Sequence, residues 1–90
     1  MAENYIKINS RDNVAVALEK LSAGETAAGV RLLSDVPAFH KFALSDIKNG
    51  EKVIKYGHAI GLSVTDIAKG EWVHTHNLKS NAQKAAVDFT

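Results

Sequence analysis

The sequence has no cysteine, only one proline and no long apolar run, and each absence excludes a class of protein. Without cysteine there can be no disulfide, thiolate metal site or thiol nucleophile. This composition suits a reducing compartment, so we expect a cytoplasmic location. No apolar stretch reaches the roughly eighteen residues that a membrane-spanning helix needs. The N-terminal residues, with Glu3 and Lys7, lack the form of a signal peptide, so no membrane partner is expected.

The chain also lacks a surplus of charge of one sign. Eleven basic and ten acidic residues are scattered along it and leave a formal net charge of +1. Because nucleic-acid binding depends on a strongly basic surface, we expect no nucleic-acid partner. Ninety residues allow a single domain. We place this domain at residues 1–79 and a C-terminal tail at 80–90, because the apolar pattern stops after Asn77.

One short pattern occurs four times. Its strongest copies are DIKNGEKV at 46–53 and DIAKGEWV at 66–73, and weaker copies are LSAGE at 21–25 and DVPAF at 35–39. The apolar residue suits a core position, the glycine suits a turn with positive φ, and the residues after it restart an alternating strand. Four strand-turn-strand units in one small domain predict a mainly β fold with little helix.

Alternating and apolar runs give the strand positions. Strands are predicted at 5–8, 14–18, 30–34, 42–44, 52–56, 59–64 and 72–76, with a hairpin or loop at 24–29. At 14–18 a helix capped by Asp12 remains an alternative, because the alanine-rich stretch also suits a helix. Gly57 and Gly61 mark places where a strand bends or another backbone comes close. A short helix at 83–87 is open for the tail.

Phe39 stands where the other three copies have glycine. If the backbone there is left-handed, a β-carbon costs about 1–2 kcal/mol. Either this turn differs from the others, or a contact made by the ring offsets the cost.

His74 and His76 are the sharpest candidates for chemistry. Residues i and i+2 of a strand point to the same face, so two imidazoles could converge on one metal ion or one anionic ligand, with the Asn77 amide beside them. Alternatively, both histidines lie on the solvent face of an edge strand.

Two further polar pairs could bind an acid. His40-Lys41 could present an imidazole and an ammonium group, and Lys55-Tyr56 an ammonium group and a hydroxyl. Each pair also suits an ordinary surface position, and Lys55 could simply extend its charge from a strand end. The acids of the repeated turns are interpreted as structural, since an aspartate that opens a turn usually bonds its own backbone. Trp72 and Phe42 are expected in the core or an interface.

Several blocks together resemble a known family. The Asp-Ile-x-x-Gly-Glu turn resembles the SAF domain, a β-clip module also found in sialic acid synthases and antifreeze proteins. The blocks that resemble the N-terminal SAF segment of the altronate/galactarate dehydratase family, and its altronate members most closely, are IKI (6–8), DNVAVAL (12–18), HKFAL (40–44), VIKYG (53–57), IG (60–61) and VHTHN (73–77). The resemblance covers roughly residues 4–81 in unbroken order and implies a single small β-clip domain.

The resemblance implies a lyase that eliminates water from an aldonate to give a 2-keto-3-deoxy acid. Such chemistry needs a base, an acid and a divalent cation, Fe²⁺ or Mn²⁺ in these relatives. Most of the machinery lies in a larger partner, so the chain is expected to be the small subunit or an excised domain, inactive without a large dehydratase subunit. Assembly of the chain with further copies of itself stays open.

The resemblance also implies roles for particular residues. His74 and His76 would be catalytic and metal-binding, and the substrate-binding residues would be His40, Lys41, Lys55, Tyr56 and Asn77. The family has glycine before His-Lys, where this chain has Phe39. The alternative is that these residues maintain the β-clip and its docking face while the large subunit holds the metal alone.

Two other functions are compatible with the sequence. One is a non-catalytic β-clip module that binds a carbohydrate or a protein. The other is the alpha subunit of sulfolactate sulfo-lyase, which shares the His-x-His-Asn ending. The KSN that follows at 79–81 is more similar to the altronate form.

Overall fold

The computed structural model describes residues 4–7 and 9–80, and this part of the chain folds as strands and turns without a helix. This confirms the predicted mainly β fold. Its strands are β1 (Tyr5–Ile6), β2 (Val14–Ala17), β3 (Thr26–Ala27), β4 (Val30–Arg31), β5 (Lys41–Ala43), β6 (Lys52–Lys55), β7 (His58–Ser63), β8 (Trp72–Val73) and β9 (Leu78–Ser80). Within the described ranges, no segment could cross a bilayer as a helix.

All the strand pairs are antiparallel. The central sheet has the order β1-β2-β5-β8, the hairpin β3-β4 stands apart, and the third sheet has the order β6-β7-β9. The central sheet brings the start of β5 beside the end of β8 through the pairing of Lys41 with Val73. This register places the segments around His40 and His74 next to each other.

Apolar side chains pack on both faces of the central sheet. Neighbouring residues of a strand point to opposite faces, and Ala15 and Phe42 accordingly join one buried cluster while Val14 and Ala43 join the other. Phe42 is fully buried, as expected for a core residue. Because β2 and β5 contribute to both clusters, they connect the two halves of the core.

The repeated turns associate in two pairs. We call them turn 1 (20–25), turn 2 (35–40), turn 3 (46–51) and turn 4 (66–71). Turns 1 and 2 meet through an antiparallel bridge between Leu21 and Val36, and turns 3 and 4 through one between Ile47 and Ile67. All four of these residues are buried. The apolar residue of each copy therefore fills the core, as the repeat predicts.

Several of the predictions need correction or resolution. Residues 14–17 are a strand and not a helix, and residues 24–31 contain the β3-β4 hairpin. The strand predicted at 72–76 ends at Val73, because the chain turns at residues 74–77. The strand β9, which directly follows this turn, was not predicted.

The first residue of the tail predicted at 80–90 is Ser80, the last residue of β9. Residues 81–90, where a short helix was considered, lie outside the described residues.

Candidate functional site

In all four turns the N–H of the last residue donates to the carbonyl oxygen three residues earlier, but only three turns add a side-chain cap. In turns 1, 3 and 4 the glutamate at the last position accepts a hydrogen bond from the backbone N–H three residues earlier, at 3.0, 2.8 and 2.8 Å. Turn 2 has His40 at this position and Pro37 three residues earlier. Proline has no N–H to donate. Position 40 therefore has no capping role, and an imidazole can replace the carboxylate without leaving a donor unpaired.

Phe39 has the left-handed backbone of the glycines that it replaces. Its φ is 67°, whereas φ is 95° at Gly24 and 90° at both Gly50 and Gly70. Its N–H donates to the carbonyl oxygen of Ala17 at 2.7 Å, which fixes the turn against β2. The ring is 73% exposed. The sequence left open that the turn at Phe39 differs from the other three. Its left-handed φ excludes that explanation.

Trp72 fixes the orientation of His40. The indole Nε1–H donates to His40 Nδ1 at 3.1 Å. A neutral imidazole carries one hydrogen, so this contact assigns the hydrogen to Nε2 and makes that end of the ring a donor. Sequence reasoning put Trp72 in the core or an interface. It is half-buried, and it packs against the apolar cluster that contains Phe42.

Three imidazoles gather around this indole. The ring centroid of His74 lies 4.4 Å from that of His40 and 5.7 Å from that of Trp72, nearly parallel to the indole. The ring of His76 lies 4.9 Å from Trp72 on centroids. Burial, and then the nearby His40, Lys41 and His76, lower the pKa of His74. His74 is therefore uncharged near neutral pH and keeps a lone pair for a proton or a metal ion.

Asn77 holds the turn that carries these histidines. Its Oδ1 accepts from the backbone N–H of His74 at 2.9 Å, and its Nδ2 donates to the carbonyl oxygen of Trp72 at 2.9 Å. The side chain is buried, with 1% exposure. Because the side chain is buried and already bonded to the backbone, a direct contact with substrate, as predicted from the sequence, would require this turn to rearrange.

Two lysines, Lys41 and Lys55, lie near the imidazole cluster. Burial, followed by repulsion from Lys55, lowers the pKa of Lys41. The Nζ of Lys55 lies 5.0 Å from the centre of the Tyr56 ring. Tyr56 occupies the β6-β7 turn with φ 56°, followed by Gly57 with φ 80°. The N–H of Gly57 donates to Asp12 Oδ1 at 2.7 Å, so Asp12 fixes this turn.

These groups surround a groove with a volume of about 520 Å³. The described residues that line it include no acid. The lining residues are Val16, Phe39, His40, Lys41, Lys55, Tyr56, Ile60, His74, Thr75 and Leu78. This volume is in the range of small-molecule sites. Two ammonium groups and an imidazole donor in one concave surface can bind a small organic anion.

The structure brings five of the seven predicted site residues to the groove. His40, Lys41, Lys55, Tyr56 and His74 line it. The other two do not: His76 is exposed beside Trp72, and Asn77 is buried beneath the histidine turn.

Sequence reasoning missed Trp72 and Pro37 as parts of the site. The signal for Pro37 was present in the aligned repeats, where proline and histidine replace the capped residue and its glutamate together. Nothing in the sequence indicated that Trp72 would bond His40, because the contact joins residues 32 positions apart.

The described residues offer part of a metal site. His74 is uncharged, which metal binding requires, and His76 is exposed. Nδ1 of His40 is engaged by Trp72, so Nε2 carries the hydrogen and cannot act as a ligand in this arrangement. No group of three or more histidine, aspartate or glutamate side chains suited to a metal ion occurs in the described part of the chain. A complete metal centre would therefore need further ligands from outside these described residues.

Comparison with known proteins reveals a consistent set of relatives. The sequence profile of the altronate/galactarate dehydratase SAF domain matches residues 3–81. Altronate dehydratase of Escherichia coli is 51% identical over 86% of this chain, and that of Bacillus subtilis is 37% identical over 88%. The chain spans only 16% and 17% of the lengths of these two enzymes. The alpha subunit of (2R)-sulfolactate sulfo-lyase of Chromohalobacter salexigens is 33% identical over 89% of this chain and 97% of its own length.

Proposed function

Because the chain belongs to the altronate/galactarate dehydratase SAF domain family, we propose that it is the SAF component of a sugar-acid dehydratase, with altronate as the substrate. The enzyme would be a hydro-lyase of the cytoplasm that eliminates water from the aldonate and yields a 2-keto-3-deoxy acid. The chain would act with a larger catalytic part, either a separate subunit or a continuation of the same polypeptide. Alone it would be inactive.

The observation that carries this proposal is the groove, which joins two ammonium groups to an uncharged imidazole and has no acid among its described lining residues. A sugar acid presents a carboxylate and a row of hydroxyl groups. Lys41 and Lys55 would bind the carboxylate, since ammonium groups favour a carboxylate that is partly shielded from water. Tyr56 would contact a hydroxyl group.

The imidazoles would handle the protons. Elimination removes a proton from the carbon next to the carboxylate and a hydroxide from the following carbon, which leaves as water once an acid of the larger part protonates it. His74 would accept the first proton, because its lowered pKa leaves it uncharged. His40 would donate a hydrogen bond from Nε2 to a substrate oxygen, since Trp72 occupies Nδ1. The resulting enol then tautomerises to the 2-keto acid.

A divalent cation, Fe²⁺ or Mn²⁺, would stabilise the negative charge that develops on the substrate next to its carboxylate. If His74 instead uses its lone pair for the cation, His74 and His76 are the ligands that this chain could supply, and the larger part would supply the other ligands and the base. Asn77 would position His74 through the backbone bond described above.

The test begins with a tagged pull-down of the chain from its native lysate and an assay of the eluate for metal-dependent dehydration of altronate. Recovery of a large partner with this activity supports the proposal. His74→Ala and His76→Ala are then compared in the assembly for turnover and bound metal. A ligand role predicts loss of both, and a proton-accepting role predicts loss of turnover with the metal retained. Unchanged turnover and metal content in both variants would leave the catalysis to the partner.

A second function is favoured by one observation, the near-complete coverage of a sulfo-lyase alpha subunit. Sulfolactate also carries a carboxylate, and its sulfonate would replace the departing hydroxyl group. Offering both substrates to the same assembly separates the two activities. A chain that elutes alone and inactive but binds a carbohydrate would instead support a non-catalytic β-clip module.

A further inference from the structure

The described residues with positive φ other than glycine are Ala28, Phe39 and Tyr56. Ala28 lies in the β3-β4 hairpin, whereas both aromatic residues line the groove. Bulky side chains avoid this backbone conformation, so an outlier at a concave site indicates a functional constraint. The two aromatic outliers meet at one surface, which the turn geometry alone does not require.

Phe39 contributes little to the fold through its ring. The side chain is 73% exposed, and the same turn forms around glycine in the other three copies. The backbone bond to Ala17 depends on the N–H and not on the ring. A role in packing therefore does not account for an aromatic residue at this position.

The ring instead supplies the groove with an apolar wall beside its cationic groups. Lys41 and Lys55 line the same groove as Phe39 and Tyr56. A small acid that binds there has its carboxylate near the ammonium groups and must lay its carbon chain against another surface. Aromatic rings next to a few polar groups are the usual composition of small-molecule sites.

We propose that Phe39 is a specificity-determining residue of the groove, whose ring packs against the carbon chain of a polyhydroxy acid while Lys41 and Lys55 bind its carboxylate. This inference rests on the proposed function, since it assumes that the groove binds the substrate. Tyr56 acts as the companion wall. The ring favours acids with a long carbon chain over short ones, because a longer chain offers more apolar surface to the ring.

The test uses the assembled enzyme at saturating partner and compares wild type with Phe39→Asn. Asparagine tolerates positive φ, so the variant removes the ring without disturbing the turn. We expect the KM for altronate to rise on the order of three- to tenfold, with a Tm equal to or above that of wild type. The inhibition constant of glycerate, which has the carboxylate but a short chain, should stay the same. Tyr56→Asn should also raise the KM for altronate, but its glycerate constant is expected to rise as well, because the Tyr56 ring lies beside Lys55.

Gly50→Phe is the matched control. It places the same side chain at the same turn position in turn 3, which does not line the groove and leaves open space for a β-carbon. It should lower the Tm and leave the KM unchanged.

An unchanged KM in Phe39→Asn would overturn the inference. If the unchanged KM is accompanied by a weaker association with the large partner, the ring is a docking contact and not part of the substrate site. If the glycerate constant rises with that of altronate, the ring acts on the cationic groups and the chain-length selection is wrong. Failure of the wild-type assembly to dehydrate altronate would overturn the proposed function first, and this inference with it.

Discussion

Glycines 24, 50 and 70 share a turn position and a similar φ but differ in their surroundings. A β-carbon at Gly50 would meet nothing within 4 Å, whereas at Gly70 it would lie 2.3 Å from the carbonyl oxygen of Arg31. Gly50 is thus required by its backbone conformation alone. Gly70 is required by its backbone conformation and by the close approach of the backbone at Arg31.

This difference predicts a graded effect of alanine. Gly50→Ala should lower the free energy of unfolding by about 1–2 kcal/mol, the cost of a left-handed residue with a β-carbon. Gly70→Ala should cost about 1–3 kcal/mol more, because the backbone around Arg31 must move. Urea unfolding followed by Trp72 fluorescence measures both. Equal losses in the two variants would contradict the assigned clash.

His74 gives the fold a dependence on pH. Its pKa is lowered in the folded state, so between that pKa and the ordinary value of about 6.5 the unfolded chain binds a proton that the folded chain does not. Stability should therefore rise with pH through this window and become independent of His74 above it.

The measurement is the unfolding free energy of wild type and His74→Gln at several values of pH. The unfolding free energy of wild type, minus that of His74→Gln, should be larger at neutral pH than at acid pH. A constant difference would mean that the environment of His74 does not disfavour its charge. His58→Gln is the control, since His58 is exposed and outside the imidazole cluster.

At the scale of elements, paired turns exchange carboxylate contacts. Asp46 of turn 3 accepts from the backbone N–H of Lys69 in turn 4, and Asp66 of turn 4 accepts from that of Asn49 in turn 3, both at 2.9 Å. In the other pair Asp35 of turn 2 accepts from the N–H of Ala23, but turn 1 has Lys20 at the equivalent position. The sequence predicted these aspartates as structural but assigned them to their own turns. They in fact bond the opposite turn.

Asp46→Ala should lower the unfolding free energy by about 0.5–1.5 kcal/mol, the value of one hydrogen bond. Asp46→Asn keeps an acceptor oxygen and should lose less. In the double variant with Asp66→Ala the loss should differ from the sum of the two single losses, because both bonds join the same pair of turns. Denaturant unfolding of the wild type and the four variants, including Asp66→Ala alone, tests this. An asparagine variant as weak as the alanine one would argue against the hydrogen bond.

The repeat explains how much of the local structure was predictable. Glycine and apolar positions recur at fixed spacing, so the turns, the buried residues between them and the β class could be predicted. Gly61 also signalled a neighbouring backbone, since a β-carbon there would lie 2.2 Å from the carbonyl oxygen of Lys79. That neighbour is β9, which carries no apolar alternation long enough to be recognised.

The site was harder to predict because it depends on contacts between distant segments. His74 and His76 would share one face only in a continuous strand, but Asn77 stabilises a turn at this point of the chain. His74 lies at the groove all the same, through the pairing of β5 with β8. The aligned repeats could have identified turn 2 as the specialised copy, because its three departures from the pattern are Pro37, Phe39 and His40.

For the whole molecule, the two apolar clusters are joined by a shared sheet. Leu21 belongs to the cluster of turns 1 and 2, and Ile47 to that of turns 3 and 4. Since β2 and β5 pack into both, neither half of the core can open without exposing the other. Cooperative unfolding of the entire domain follows from this arrangement.

Leu21→Ala and Ile47→Ala should each lower the unfolding free energy by about 2–5 kcal/mol. Both variants should still unfold in one transition, with far-ultraviolet circular dichroism and Trp72 fluorescence changing together. Two separated transitions in either variant would contradict the coupling and would identify two independently folding halves.

The missing N–H of Pro37 has a consequence for the order in which a turn could acquire an imidazole at its last position. Starting from a turn with glutamate at its last position, a change to histidine alone would leave an amide without its carboxylate. A change to proline first would only make the glutamate redundant, and histidine could follow at no further cost to the turn. The permissive substitution thus precedes the functional one. The same two steps, Lys48→Pro and then Glu51→His, are the route by which an imidazole could be installed in turn 3.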